Sequence, residues 1–484
     1  MRDLHQTSGQ TIIIGAGFGG LGMAIRLKQR GEQRFVILEK AHDVGGCWRD
    51  NTYPGAACDI PSQLYSFSFE PSWKWTRAYA PQAEILAYLR ACTEKYGLRE
   101  QLRFGVEVRS AEFDAASGMW LVDTGGEVLR ARSLIVACGQ LSRPAYPNIR
   151  GLERFGGTQF HSARWNHDYP LDGKRVAVIG TGASAIQFVP AIVPRAGTLH
   201  LFQRSPPHVI PKPDRGFGSW ERALHRRVPV VGAARRARIY ANNELRAFTL
   251  TVPRLTSAYQ WLFRRHLERQ IRDPELRQKL TPDYPIGCKR VLISNDYYPS
   301  LNENHVEVVT DAIREVTERG VVTEDGRERE VDAIIFGTGF TANEFLAPMT
   351  IRGLHGTLDE AWRAGAEAYL GMTISGFPNL FVLYGPNTNL GHNSIIYMLE
   401  SQFEYVMQAL AELHRVRHLD VRPDVQAAFN TSIQQQLAES VWAGDCTSWY
   451  KTAGGKITNN WPGYTFTYRR RTRKLELADY EIAQ

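Results

Sequence analysis

In Thr11-Ile12-Ile13-Ile14-Gly15-Ala16-Gly17-Phe18-Gly19-Gly20 an unbroken apolar run passes into a glycine turn. The run reads as a buried strand, and Leu21 to Arg30 reads as an amphipathic helix stopped by Gly31. The turn has the form GxGxxG. In that form Gly15 permits the tight bend, Gly17 lets backbone approach a pyrophosphate, and Gly20 lets the helix pack on the strand. A second strand, Phe35 to Leu38, ends on Glu39, 19 residues after Gly20. By itself a glutamate at a strand end is a solvated charge; behind these glycines it is a carboxylate able to accept from ribose hydroxyls.

The same grammar returns later. Arg175 to Ile179 leads into Gly180-Thr181-Gly182-Ala183-Ser184-Ala185, a helix, and the strand Leu199 to Phe202. Two such units imply two dinucleotides. Where the first unit has Glu39 the second has Gln203, followed by Arg204 and Ser205. This removes a charge that would repel a 2′-phosphate and supplies a cation that would bind one, so NADPH is expected over NADH.

Three further stretches belong to this frame. The loop Gly45-Gly46-Cys47-Trp48 through Tyr53-Pro54-Gly55 to Asp59 is too rich in glycine and aromatics for a routine linker, and a flat isoalloxazine ring suits it. Between the two units lies Phe155-Gly156-Gly157-Thr158-Gln159-Phe160-His161-Ser162-Ala163-Arg164-Trp165, which alone reads as a domain connection with core aromatics. Gly287-Cys288-Lys289-Arg290 ends on a cation that stays charged at any working pH.

The remainder is coarser. Gln63 to Gly97 reads as helical, and Arg103 to Arg132 as a small antiparallel layer. Two twin apolar strands, Ser133 to Gly139 and Asp332 to Phe340, are expected to close the nucleotide domains. Trp220 to Arg272 reads as an inserted helical subdomain whose arginines form a solvated face over a packed core, in preference to a membrane-surface helix. Leu380 to Asn387 and a helix from Ser394 read as a return to the first domain.

Composition narrows the class. The 484 residues, 43% hydrophobic and 22% charged, describe a globular chain of two or three domains. The net charge of +8 comes with no reader motif for nucleic acid. The six cysteines have neither metal spacing nor a CxxC pair, so no metal is expected and a reducing cytoplasm fits. No apolar run approaches the ~18 residues of a membrane helix, so no integral membrane segment is expected.

Together these residues resemble a type I Baeyer-Villiger monooxygenase, within the class B flavoprotein monooxygenases. The signature FxGxxxHxxxW(P/D) is matched at Phe155, Gly157, His161 and Trp165, and (A/G)GxWxxxx(F/Y)P(G/M)xxxD at Gly45, Gly46, Trp48, Tyr53, Pro54, Gly55 and Asp59. Two departures are Asn166, where Pro or Asp is usual, and Ala185, where glycine is usual. The resemblance implies an α/β fold of two Rossmann-like domains, binding FAD and NADP, with a helical insertion in the NADP domain. The expected division is 1–145 and 379–484 for FAD, 146–215 and 286–378 for NADP, and 216–285 for the insertion. It further implies Arg290 as catalytic with Asp59 as partner, Arg204, Ser205 and Lys289 on the 2′-phosphate, and Trp449 near the nicotinamide. With Gly15, Gly17, Gly20, Glu39, Trp48, Gly180, Gly182 and Ala185 these make the expected cofactor sites. Phe155, Gly157, His161 and Trp165 are expected to couple domain rotation to cofactor handling. The implied reaction takes a small hydrophobic ketone, dioxygen and NADPH to an ester or lactone through a flavin C4a-peroxide. Two alternatives stay open: oxidation of nitrogen or sulfur in small molecules, and a non-oxygenating NADPH-dependent flavoprotein.

Overall fold

The computed structural model describes residues 10–251 and 256–483; the chain ends at 1–9 and 484, and 252–255 within the expected insertion, lie outside the described residues. Two five-stranded parallel sheets organise the chain. The first runs Leu380–Val382, Ser133–Val136, Thr11–Ile14, Phe35–Glu39, Leu102–Phe104. The second runs Val306–Val309, Thr198–Phe202, Arg175–Ile179, Ala333–Phe336, Thr158–His161.

Continuous apolar runs are what a parallel sheet covered on both faces demands. In register, Ile13 lies beside Ile37 and Ile135, and Ile12 beside Val36 and Leu134. Because side chains alternate along a strand, the first trio packs under the helices Phe18–Gln29 and Ile395–Glu412. The second trio packs against Trp120 and Val122 of an antiparallel layer. That layer is Ser110–Asp114, Met119–Asp123 and Val128–Ala131, joined by Thr350–Arg352.

Several expectations are corrected here. Helix between Gln63 and Gly97 is confined to Gln82–Lys95 and a short turn from Leu98 follows it. Pro61, Pro71 and Pro81 break the preceding stretch, which instead delivers Phe67 and Trp75 into the core. Leu102–Phe104 belongs to the first sheet and not to the antiparallel layer. The twin strands at 133–136 and 333–336 are interior strands, each beside the first strand of its glycine turn, and close neither sheet. The 155–165 stretch is more than a connection: its Thr158–His161 portion is the edge strand of the second sheet.

Between the second sheet's Thr198–Phe202 and Val306–Val309 come the helices Ser219–Arg227, Pro229–Thr251 and Ser257–Gln270. The two chain crossings between the sheets meet each other, with the Ala145 amide donating to Gly339 O at 2.9 Å. Cys288 and Cys446, 158 residues apart, form a disulfide. The bridge runs against the reducing setting expected from the cysteines, and nothing in their spacing signals the pair.

Candidate functional site

Glycine is required at both turns for steric reasons. Gly15 has φ +101°, and a Cβ there would sit 2.7 Å from Ala137 O; one on Gly20 would sit 1.8 Å from Gly15 O. At Gly17 it would sit 3.7 Å from the Gly46 Cα, so the two glycine-rich turns of the first domain face each other closely. The helix Phe18–Gln29 starts behind Gly17 with no side-chain cap, leaving its first amides available to an anion. In the second turn Gly180 has φ +106° and its Cβ would meet Gly337 O at 2.5 Å. Gly182 has more room, 3.8 Å, and Ala185 is accommodated fully buried.

Glu39 is 5% exposed, so it is not a solvated charge. Its carboxylate accepts from the Ala16 amide at 2.9 Å and the Ala41 amide at 3.0 Å, and pairs with Arg49 at 3.1 Å. It thereby locks the turn whose glycines approach the ligand. Arg49 was not singled out from sequence; burial works against its charge, but Asp50 and Glu39 raise it above its ordinary value. Trp48 is half-buried, its Nε1 donating to Tyr65 OH at 3.1 Å.

At the second strand end Arg204, Ser205 and Lys289 come together. Lys289 Nζ donates to Ser205 Oγ at 2.8 Å, and the ammonium lies 4.3 Å over the Tyr284 ring. Burial and then the Arg204 charge hold the ammonium below its ordinary value. Two cations crowded beside a hydroxyl form a ready anion seat. Gln203 is 3% exposed; its Nε2 donates to Lys279 O at 2.8 Å while its Oε1 has no partner.

Between the turns, Arg290 Nη2 donates to Asp59 Oδ2 at 3.0 Å. Burial opposes the Arg290 charge, yet Asp59, with Tyr450 and Tyr384 behind it, raises it above its ordinary value. With 39% of its side chain exposed against 14% for Asp59, the guanidinium faces the open side of the pair. Trp449 packs on Tyr450 with ring centroids 4.4 Å apart, and the Cys288–Cys446 bridge ties their segment to the loop bearing Lys289 and Arg290. Asp59, Arg290 and Trp449 thus lie on segments that come together, while Glu39 closes a strand and Trp48 sits in the short helix Cys47–Asp50.

Gln187 is the residue that sequence reasoning missed. From the helix Ala185–Ile192 it donates through Nε2 to Ala57 O at 3.1 Å and to Asp59 Oδ1 at 3.2 Å. Its Oε1 accepts from Tyr53 OH at 3.0 Å and the Ala57 amide at 3.2 Å. A Cβ on Gly55 would stand 2.6 Å from Gln187 O, which explains a glycine in that loop. The only sequence signal was its place two residues beyond Ala185, to which no spacing rule attaches.

The Phe155–Trp165 stretch reaches this site only through its far end, where Trp165 packs on Phe188 and Phe188 on Tyr53. Phe155 is buried with Val316, Val321 and Phe336; Trp165 packs on Phe160 and Phe188 at 5.2 and 5.4 Å. A Cβ on Gly157 would be 2.5 Å from Asp332 O. His161 is fully buried, its Nδ1 accepting from the Ala163 amide at 3.0 Å, and burial pushes it down to about 4. Its ring contacts Tyr146 on one chain crossing and Phe340 on the other.

Known proteins share this architecture. The family model described as pyridine nucleotide-disulphide oxidoreductase matches residues 12–214. A solved steroid monooxygenase bound to NADP superposes with TM-score 0.88 at 32% identity, covering 98% of this chain and 99% of its own. Cyclohexanone monooxygenase from Rhodococcus sp. Phi1, bound to NADP+, gives 0.89 at 30%, with the same coverage. A Streptomyces coelicolor protein named Baeyer-Villiger monooxygenase is 46% identical over 97% of this chain and 92% of its own. One of that name from Pseudomonas aeruginosa is 50% identical over 97% and 90%. With two glycine turns, a cation seat on the second and an arginine–aspartate pair between them, the chain belongs to the Baeyer-Villiger monooxygenase family.

Proposed function

We propose that this chain is an FAD-dependent, NADPH-consuming monooxygenase that inserts one atom of dioxygen beside the carbonyl of a small hydrophobic ketone, giving an ester or lactone. The observation that carries this reading is the Arg290–Asp59 pair, 3.0 Å long, at the end of the loop that touches the first glycine turn at Gly46 and the helix behind the second at Gly55 and Asp59. Both cofactors fit the residues present. The first turn, with its cradle at Gly15, Gly17 and Gly20, suits the FAD pyrophosphate, and Glu39 beside it suits the ribose. Arg204, Ser205 and Lys289 suit a 2′-phosphate. Trp48 and the Gly45–Asp59 loop suit the flavin ring, and Trp449 the nicotinamide end.

Bound flavin, reduced by NADPH, supplies the oxygen chemistry. The chain's own residues do the rest. Arg290 sets a fixed positive charge where negative charge develops on the attacking oxygen and then on the carbonyl oxygen. Asp59 orients that guanidinium, and Gln187 holds Asp59. Tyr384 and Tyr450 lie near enough to act on its charge, and Trp449 packs on Tyr450, so one side of the cation offers aromatic surface suited to an apolar ketone. A heteroatom oxygenase has no need of such a cation.

The domain division proposed is 1–145 and 379–484 around the first sheet, 146–215 and 286–378 around the second, with 216–285 inserted. His161, in edge-on contact with Tyr146 and Phe340, touches both crossings, which suits a part in their relative motion, with Phe155, Gly157 and Trp165 supporting it from the second sheet. A cytoplasmic setting fits the unpaired Cys47, Cys58, Cys92 and Cys138, and the Cys288–Cys446 bridge runs against it.

The test is mass spectrometry of products from a cyclic or aryl ketone supplied with NADPH and heavy dioxygen. One heavy oxygen in a lactone or ester is expected. Unchanged ketone, beside a thioether converted to heavy sulfoxide, would replace the proposal with heteroatom oxidation. Arg290→Ala is expected to keep consuming NADPH while ester formation falls by about 10²-fold or more; ester formed near the wild-type rate would remove Arg290 from the mechanism.

A further inference from the structure

The chain's excess positive charge is confined to one place. Residues 219–270 hold eleven arginines and three glutamates, and the remaining chain is balanced, 47 basic against 47 acidic. The same segment carries seven of the twelve large apolar side chains left exposed among the described residues. Sequence alone favoured a solvated face over a packed core, and exposure of the apolar residues themselves alters that balance.

Trp220, 72% exposed, and Leu224 lie one turn apart on the helix Ser219–Arg227. Directly after them Arg226-Arg227-Val228-Pro229-Val230-Val231 is exposed throughout, Val230 to 71%. Along the helix Pro229–Thr251, Val231, Arg238 and Leu245 recur every seven residues on one exposed stripe, about 21 Å long at 1.5 Å per residue. Arg226, Arg227 and Arg238 have no ion-pair partner among the described residues. Two of the three glutamates point inward: Glu221 binds Arg215 and Arg235, and Glu244 accepts from Asn393 and Thr465. The outer surface therefore combines unpaired arginines with aliphatic and indole side chains.

We propose that this face of the helical insertion docks on an anionic lipid bilayer, lying in its surface with Trp220, Val230 and Leu245 among the acyl boundary and the arginines at the headgroups. Basic amphipathic helices bind membranes in this way, by apolar burial added to attraction for anionic lipid. No helix among the described residues is long and apolar enough to cross a membrane, so the contact is with one leaflet. A second copy of the chain is a poor occupant, because an isologous contact would set these arginines against themselves. Nucleic acid offers nothing for exposed valine and leucine to bury against.

The experiment floats purified holoenzyme with vesicles of phosphatidylcholine alone or with about one third phosphatidylglycerol. Binding is expected to the anionic vesicles only, and to fall at least about tenfold when salt is raised from roughly 0.05 to 0.5 M. Trp220→Ser/Val230→Ser/Leu245→Ser should abolish it while leaving turnover of a short soluble ketone unchanged, which certifies that the variant is folded. No flotation at low salt, or flotation equal in the triple variant, overturns the proposal. So does a dimer in light scattering that the triple variant loses without any vesicle binding, since the occupant is then a second copy.

Discussion

The two glycine turns share one skeleton and differ in what stands at the end of their second strand. In the first, buried Glu39 is spent on the turn's own amides and on Arg49, so its charge organises backbone as much as ligand. In the second, Gln203 is neutral and buried, and charge is delegated to Arg204 and Lys289 on different segments. One backbone solution therefore recurs in both turns, with a different chemistry at each strand end.

The comparison breaks most visibly at the closing residue of each turn. Gly20→Ala would put a Cβ 1.8 Å from Gly15 O, and we expect protein without bound flavin or no soluble protein, read by flavin absorbance after purification. Ala185→Gly in the second turn should cost only about 1 kcal/mol, read by thermal unfolding.

Protonation separates the two halves next. His161 lies in the second sheet and is held at about 4, below its ordinary 6.5. The unfolded chain binds that proton first, so its contribution is full above pH 6.5 and is lost as pH falls towards 4, at most about 3 kcal/mol. Asp420, near the first sheet, is raised by burial to about 7, so its contribution runs the other way and is lost as pH rises from 3.8. In denaturant titrations, His161→Asn should flatten the acid limb and Asp420→Asn the slope towards neutrality.

Cofactor choice sharpens the contrast. Removing one charge-assisted contact costs about 1.5–3 kcal/mol, so Arg204→Ala should raise KM for NADPH by about 10- to 100-fold and leave NADH use near its starting value. Smaller still, Gln187→Ala should lower ester formed per NADPH consumed several-fold, on the order of 1 kcal/mol, with KM for NADPH unchanged. Gln187→Glu, which sets a second carboxylate against Asp59, should do worse; an unchanged ratio in both would leave Gln187 a packing residue.

Most of this was legible because it is local. The glycine turns follow from steric need within a few residues, and the strands beside them from unbroken apolar runs. The stretch 63–81 misled because it reads as continuous with the helix that follows it, while Pro61, Pro71 and Pro81 break it and its aromatics, Phe67 and Trp75 among them, are taken up by tertiary packing. Gln187 and Arg49 escaped because each acts on a partner that its sequence neighbours do not reveal.

Sequence by itself determined the two dinucleotide units, the residue types at the end of each second strand, and the family resemblance, because each rests on short-range backbone constraint or on residue type. Only the tertiary structure decided that Glu39 is tied down, that Gln187 clamps Asp59 from the helix behind the second glycine turn, that Cys288 meets Cys446, and that Trp220, Val230 and Leu245 are left outside the core. The contacts of Glu39 with Ala16, of Gln187 with Asp59 and of Cys288 with Cys446 join residues 23, 128 and 158 positions apart, and the rest is a matter of which face packing leaves uncovered; periodicity carries neither.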